Sequence, residues 1–320
     1  MPKSSLARPH ARTPLTPEAL ETLERVARTG SFAGAARELG KVPSALTYSM
    51  RALEEALDVL LFDRSSRQAR LTPAGEELLR EGQRLLRELD ALTNRVKRVA
   101  TGWESAITIA VDGIIDASAL LELVRDFYRL DSPTRVSVRE EILGGTWEAL
   151  ASGAADIAIG ITQEHLRPPG IEVRRLGSVP FLFVMAATHP LAGSAAPLGE
   201  EELIGIRAIA VADSSRDSTP LTRNLLPGQQ VLTLPSARLK LQAIEAGLGC
   251  GWLPEPMVRS RLREGWLHAR PVAGRAPSAE FDYAWRSDPA GFGRARRWWV
   301  EQLARSEVQR NFLSCSSNPS

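Results

Sequence analysis

The chain has 320 residues, 43% hydrophobic and 24% charged, enough for two or three domains, each with its own core. A formal net charge of +2 does not announce a polyanionic partner, and no apolar run approaches the roughly 20 residues that span a bilayer. Two cysteines, Cys250 and Cys315, give neither a disulfide framework nor metal-ligand spacing, so no metal is expected and the reading is a cytoplasmic, reducing setting.

The charge is unevenly spread. Residues 1–102 hold 17 Lys and Arg against 13 Asp and Glu, and the remainder holds 23 against 25. The first residues, MPKSSLARPHART, are basic without an apolar signal core and read as a disordered arm. Thr16 caps a helix starting at Pro17, with Leu20, Leu23 and Ala27 facing inward. Gly30 ends that helix, and Ser31 starts a second one that buries Phe32, Ala35, Ala36 and Leu39. After the tight turn Gly40-Lys41-Val42, residues Pro43 to Leu57 form a third helix with two different faces. Leu46, Met50, Leu53 and Leu57 make its buried stripe. Ser44, Thr47, Tyr48 and Arg51 make a polar stripe free of acids until Glu54, which suits insertion of the first turns into a DNA major groove. Helix, helix, short turn, helix is a helix-turn-helix unit. Leu60-Leu61-Phe62 and Leu71 then flank the basic run from Asp63 to Arg70, the pattern of a two-stranded wing.

The segments GSFAGAARELG, PSALTYSMRALEEALDVLLFDRS and ARLTPAGEELL resemble, in order and without a gap, the N-terminal domain of LysR-type transcriptional regulators. The resemblance implies that Ser31, Pro43, Ser44, Thr47, Tyr48 and Arg51 lie at the DNA and that Arg64 and Arg70 belong to the wing. Most of the family opens this helix with Gln-Pro where this chain has Pro43-Ser44, so its operator is not expected to follow the commonest half-site.

Thr72 caps a long helix with Pro73 in its first turn. Leu78, Leu85, Leu92 and Val99 repeat every seven residues, with Leu89 and Val96 between them, a seam for pairing two chains, and Gly102 closes it. The alternative is an amphipathic helix lying on its own domain. The resemblance implies a linker helix and a homodimer or homotetramer.

From residue 105 apolar β-type runs alternate with helices: ITIAV at 107–111, VSV at 136–138, DIAIG at 156–160, FLFVMA at 181–186, AIAVA at 208–212, VLTL at 231–234, CGWL at 250–253 and FDYAW at 281–285. That alternation predicts two α/β lobes with a cleft between them. The markers AVDGII, LGGTWEALASGAADIAIG, THPLA, AVADSSR and AGLGCGWLPEPMV resemble the family's effector-binding domain, in particular a YhaJ-like branch. The expected fold class is therefore α/β with an N-terminal winged helix-turn-helix over 14–72, a linker helix over 73–102 and an effector-binding domain over 105–310. Lobe I is placed at about 105–179 and 286–310, and lobe II at about 180–285.

Three loops are the expected cleft walls: Asp112-Gly113, Gly144-Gly145-Thr146 and Asp213-Ser214-Ser215. Helix-start N–H groups with nearby hydroxyls can hold an anionic group. Equally, Thr146, Ser214 and Ser215 read as helix caps, and Asp112 as a turn residue or an acceptor for an amine or hydroxyl. Trp147 and Trp252 fit pocket walls or core. Gly247, Gly249 and Gly251 spell G-x-G-x-G, but after a helix and before a strand, the reverse of a dinucleotide turn. His10, His165, His189 and His268 form no metal pattern, and no catalytic triad or cofactor motif can be assembled. The expectation is a non-enzymatic regulator whose partners are double-stranded DNA, a small-molecule effector and its own copies, without a membrane. The other reading is a small-molecule binding protein or enzyme whose N-terminal helices serve only assembly.

Overall fold

The computed structural model describes residues 15–63, 69–162, 170–194, 196–215, 225–274, 277–287 and 291–314. It divides into two compact units, residues 1–93 and 94–320.

In the first unit, α1 (Pro17–Thr29) starts where the Thr16 hydroxyl accepts from Ala19 N and stops at Gly30, whose φ of 66° suits a residue without a side chain. Helix α2 (Phe32–Leu39) is capped by Ser31, and α3 (Pro43–Leu57) follows after a three-residue turn. Ala35 and Ala36 are buried and small, which lets the helices pack closely around Leu23, Val26, Leu46, Met50, Leu53, Leu61 and Phe62. A two-stranded antiparallel ribbon, β1 (Phe62–Asp63) and β2 (Arg70–Leu71), forms the wing; Arg64 lies outside the described residues. Glu54 does not border the polar face of α3. It is buried, and its carboxylate accepts from Leu61 N at 2.8 Å and Phe62 N at 3.2 Å, holding the chain that enters the wing.

Helix α4 (Pro73–Thr101) begins where the Thr72 hydroxyl accepts from Gly75 N. Its first turns lie on the helix-turn-helix core. A Cβ on Gly75 would sit 2.2 Å from the Leu61 carbonyl oxygen, and one on Gly82 would sit 2.7 Å from the Leu20 side chain. Leu78, expected in the pairing seam, instead packs on this core with Leu79. The free seam therefore starts one heptad later. Leu85, Leu89, Leu92, Val96 and Val99 follow at alternating steps of four and three, with exposure rising from 38% at Leu85 to 87% at Val99.

The second unit opens with β3 (Ala106–Asp112), α5 (Ala117–Tyr128), β4 (Arg135–Glu141), α6 (Gly144–Ala151) and β5 (Ile157–Thr162). Strands β4, β3 and β5 run parallel, as the sequence pattern predicts. The sheet then continues antiparallel through β11 (Ser278–Arg286) to β6 (Ile171–Ala186). That strand extends ten residues upstream of the apolar run that marks it in the sequence. Its first half pairs with β11, and its second half pairs with β9 (Gly251–Pro254) and β10 (Leu267–Arg270). One strand thus serves both lobes. Lobe II adds α7 (Glu200–Gly205), the parallel pair β7 (Ala208–Val211) and β8 (Val231–Leu234), α8 (Ala237–Glu245) and α9 (Glu255–Arg263). Helices α10 (Arg294–Leu303) and α11 (Ser306–Ser314) return to lobe I, where Trp299, Leu303 and Phe312 join a core with Phe127, Tyr283 and Trp285.

Gly249 and Gly251 of the G-x-G-x-G run have a packing cause. A Cβ on Gly249 would lie 2.4 Å from the Arg207 carbonyl oxygen, and one on Gly251 would lie 2.9 Å from that of Ile209. They let β9 approach β7, which hydrogen-bonds across through Ile209 N to Cys250 O.

Gly75 offers a test in which helix propensity and packing oppose each other. Alanine normally stabilises a helix interior by roughly 0.5–1 kcal/mol over glycine. Here the added methyl meets backbone, which cannot rotate away, and overpacking of that kind costs about 1–3 kcal/mol. Gly75→Ala should therefore lower stability in chemical denaturation, and a stabilised variant would contradict the packing of α4 on the wing.

Candidate functional site

Two candidate sites lie on the chain, one in each unit. On α3, Ser44, Tyr48 and Arg51 are exposed, Tyr48 at 76%, and Thr47 is half-buried with its hydroxyl donating to the Pro43 carbonyl. Arg51 has no hydrogen-bond or ion-pair partner among the described residues. The helix has no acidic residue in its first turn, no side-chain cap at Val42, and Pro43 at its first position. Its N-terminal amides therefore carry uncompensated positive character. The face offers a hydroxyl, a phenol and a guanidinium fork, the donor set that reads base edges. Ser31 lies elsewhere on the unit as the cap of α2, its oxygen accepting from Gly34 N at 3.0 Å, and Arg70 is exposed on β2.

In the second unit the three expected loops do meet. Asp112, at the end of β3, is buried; its carboxylate accepts from Ile114 N at 3.1 Å and from Leu143 N at 2.9 Å. It thus braces the turn between β4 and α6 from lobe I. From lobe II, the Ser214 hydroxyl donates to the Glu141 carboxylate at 2.8 Å and accepts from Ile142 N at 2.9 Å, while Ser214 N donates to Ile142 O at 3.2 Å. Gly144 and Gly145 make room for this approach, since a Cβ on Gly145 would lie 1.8 Å from the Ser214 oxygen and one on Gly144 3.0 Å from an Asp213 oxygen. Asp213 in turn accepts from Ser215 N. The hydroxyls of Thr146 and Ser215 are buried without a hydrogen-bond partner among the described residues. Between them, Leu143 holds a φ of 52° and ψ of −117°, a strained backbone for a leucine that costs about 1–3 kcal/mol.

Beside this seam lies a cavity of about 130 Å³, walled by both lobes. Of the expected site residues only Asp112 and Gly113 line it. Phe181, Phe183, Ile142, Leu143, Ile209 and Trp252 supply apolar walls. Trp252 is therefore both wall and core, whereas Trp147 packs against the core under α6. The residue that sequence reasoning missed is Lys240. It lines the cavity, is 8% exposed, and has no hydrogen-bond or ion-pair partner among the described residues. Burial pulls its ammonium down to about 8 from an ordinary 10.5. A signal was present: Ala237, Lys240 and Ile244 occupy the buried stripe of α8, a place where lysine is out of pattern.

Cys250 is a buried thiol pushed up to about 12 by desolvation, so it stays protonated and is a poor nucleophile. Among the described residues no His, Cys, Asp and Glu group is placed to hold a metal ion, and no helix is long and apolar enough to cross a membrane.

Residues 17–76 match the family model described as "Bacterial regulatory helix-turn-helix protein, lysR family", and residues 100–307 match "LysR substrate binding domain". The chain is 38% identical over 291 residues to the "Probable HTH-type transcriptional regulator YhaJ" of Escherichia coli K12, covering 90% of this chain and 96% of that one. It is 32% identical over 289 residues to the "HTH-type transcriptional regulator PunR" of the same organism, covering 90% and 93%. Among solved structures, the crystal structure of CbnR, a LysR family transcriptional regulator, shares the fold with a TM-score of 0.59 at 18% identity, covering 91% of this chain and 99% of that one.

Lys240 makes a pH test with a definite sign. Its folded-state value lies below its unfolded value, so the charged form penalises folding fully below about pH 8, and the penalty fades as pH rises toward 10.5. The shift corresponds to an order of 3 kcal/mol. Lys240→Met should therefore be more stable than the wild type at pH 7, with the gap closing toward pH 10.5. Cys250 pulls the other way above pH 9, because its thiolate is favoured only when unfolded. The difference between the two proteins in thermal melts across pH is thus the readout, and a constant gap would refute the buried ammonium.

Proposed function

The chain belongs to the LysR family of transcriptional regulators, and from that premise we propose how its own residues carry the work of a ligand-responsive, DNA-binding regulator. The first turns of α3 enter the major groove of double-stranded DNA, where Arg51 and Tyr48 read base edges beside Ser44, Thr47 and Pro43. Ser31, Arg64 and Arg70 contact the backbone and set the register. The observation that carries this reading is the exposed face of α3, free of acids from Pro43 to Arg51, with Arg51 unpaired among the described residues and Glu54 spent inside the domain.

The exposed heptad of α4 pairs with a second copy, because a row of Leu and Val side chains in water is stabilised by burial at about 25 cal/mol per Å². Two such dimers give a tetramer. The working divisions are 14–72 for DNA, 73–102 for pairing and 105–310 for the effector, and the protein works in the cytoplasm. An effector enters between the lobes, with Asp112 and Gly113 at the cavity and Gly145, Thr146, Asp213, Ser214 and Ser215 at the seam beside it. Its influence on DNA equals its difference in affinity between lobe arrangements, and the hydrogen bonds between Ser214 and the Glu141–Ile142 segment are what such a rearrangement would stretch.

Arg51→Ala should relax sequence preference at one operator position by roughly 1–3 kcal/mol, whereas Arg70→Ala should weaken all sequences alike. Binding assays on an operator and its base-substituted variants separate the two, and unchanged preference in Arg51→Ala would remove α3 from the groove. Leu89→Glu buries an unpaired charge in the seam and should dissociate the oligomer. Sedimentation showing the wild-type assembly would sink the pairing role of α4.

A further inference from the structure

Lys240 is an energetic anomaly that the regulator reading does not explain. An ammonium that is nearly fully buried and has no partner among the described residues is among the costlier arrangements a fold can hold. Its place on α8 adds to the cost. Lys240 is in the first turns of the helix, and Ala237, one turn earlier, lines the same cavity. The positive end of the α8 dipole and the ammonium are therefore together, which disfavours a cation and favours an anion. Gly251 gives the amine its slot: a Cβ there would lie 3.0 Å from Lys240 Cε and 3.2 Å from Nζ. Sequence and backbone thus make room for a buried positive charge in a cavity otherwise walled mainly by aromatic and aliphatic side chains.

The rest of the lining sets the ligand's size and charge. The cavity of about 130 Å³ is close to the roughly 150 Å³ that accommodates a benzene ring in a protein core. Asp112 contributes a second, negative group, but its oxygens accept from the amides of Ile114 and Leu143. Among the described residues this leaves one cation, Lys240, lining the cavity, and the Asp112 carboxylate disfavours a ligand with more than one negative charge.

We propose that this cavity binds a small monocarboxylate with an apolar body of about one ring, its carboxylate on the Lys240 ammonium and its body against Phe181, Phe183 and Trp252. The proposal rests on reading the two-lobed domain as effector-binding, and it adds the chemical class of the ligand and the residue that selects it.

Calorimetry and thermal melts on the full chain test it with four probes of similar shape: benzoate, benzamide, benzylamine and phenyl phosphate. Benzoate should bind and raise the melting midpoint, benzamide should bind about tenfold or more weakly, benzylamine should not bind, and phenyl phosphate should fall below benzoate. In Lys240→Met benzoate should lose its advantage over benzamide. The probe series on the wild type stands even if that variant is poorly made. Benzamide binding as well as benzoate, phenyl phosphate binding more tightly, a retained carboxylate preference in Lys240→Met, or no binding of benzoate would each overturn the proposal. An operator gel shift separates it from the reading beneath it. Benzoate bound with these preferences but without effect on operator binding upholds the carboxylate site and removes the effector role. A different compound that shifts operator binding, with no carboxylate bound, does the reverse.

Discussion

A single strand shared by two sheets constrains most of the second unit. The first half of β6 is zipped to β11 in lobe I, and its second half to β9 and β10 in lobe II. Backbone hydrogen bonds must be satisfied along all sixteen of its residues, so the lobes meet where the strand changes partners. The cavity lies at that change: Phe181 and Phe183 come from β6, and Ala279 and Phe281 from β11. Its floor is therefore as rigid as the sheet, while its walls belong to different lobes. That division of a fixed floor and separable walls is what a ligand-dependent rearrangement requires.

The parts of the fold legible in the sequence are those where one physical signal dominates. Thr16, Ser31 and Thr72 announce helix starts by their hydroxyls, and Leu46, Met50 and Leu53 declare the buried side of α3 by period. Strands β3 and β5 are sheathed on both faces and read as continuous apolar runs. Elements built from weaker signals are not marked by periodicity. The upstream half of β6 carries Glu172, Arg174 and Arg175 at exposed positions, β10 is four residues with His268 and Ala269 outward, and α7 and α9 are short and highly charged. Their stability comes from tertiary pairing, which a local pattern cannot register.

The same contrast holds for the candidate sites. The exposed polar side of α3 is visible in the sequence because helical period alone places Ser44, Thr47, Tyr48 and Arg51 together. In the cleft, the loops holding Asp112, Thr146 and Ser215 can be picked out as strand ends and helix starts, and they do converge. Their individual tasks depend on long-range geometry: Asp112 and Ser214 are largely spent on the backbone of residues 142–143, a contact between segments far apart in sequence. Lys240 carries no such loop signal, because it lies inside α8, on the buried side of its first turn.

These pieces combine into one energetic argument. The segment from Glu141 to Leu143 is pinned by Asp112 on one side and Ser214 on the other, and it holds Leu143 at a positive φ. Ile142 and Leu143 also face the cavity that contains Lys240. The structure therefore carries two unfavourable terms next to each other, a strained backbone on lobe I and, on lobe II, a buried ammonium with no partner among the described residues. In the proposed complex an anion that neutralises Lys240 relieves the second term, in a cavity that Ile142 and Leu143 also line. A ligand can drive a transition only through such a difference between states. Under the proposed binding mode, the strained turn is the element of lobe I that a ligand held on Lys240 of lobe II would meet in the shared cavity.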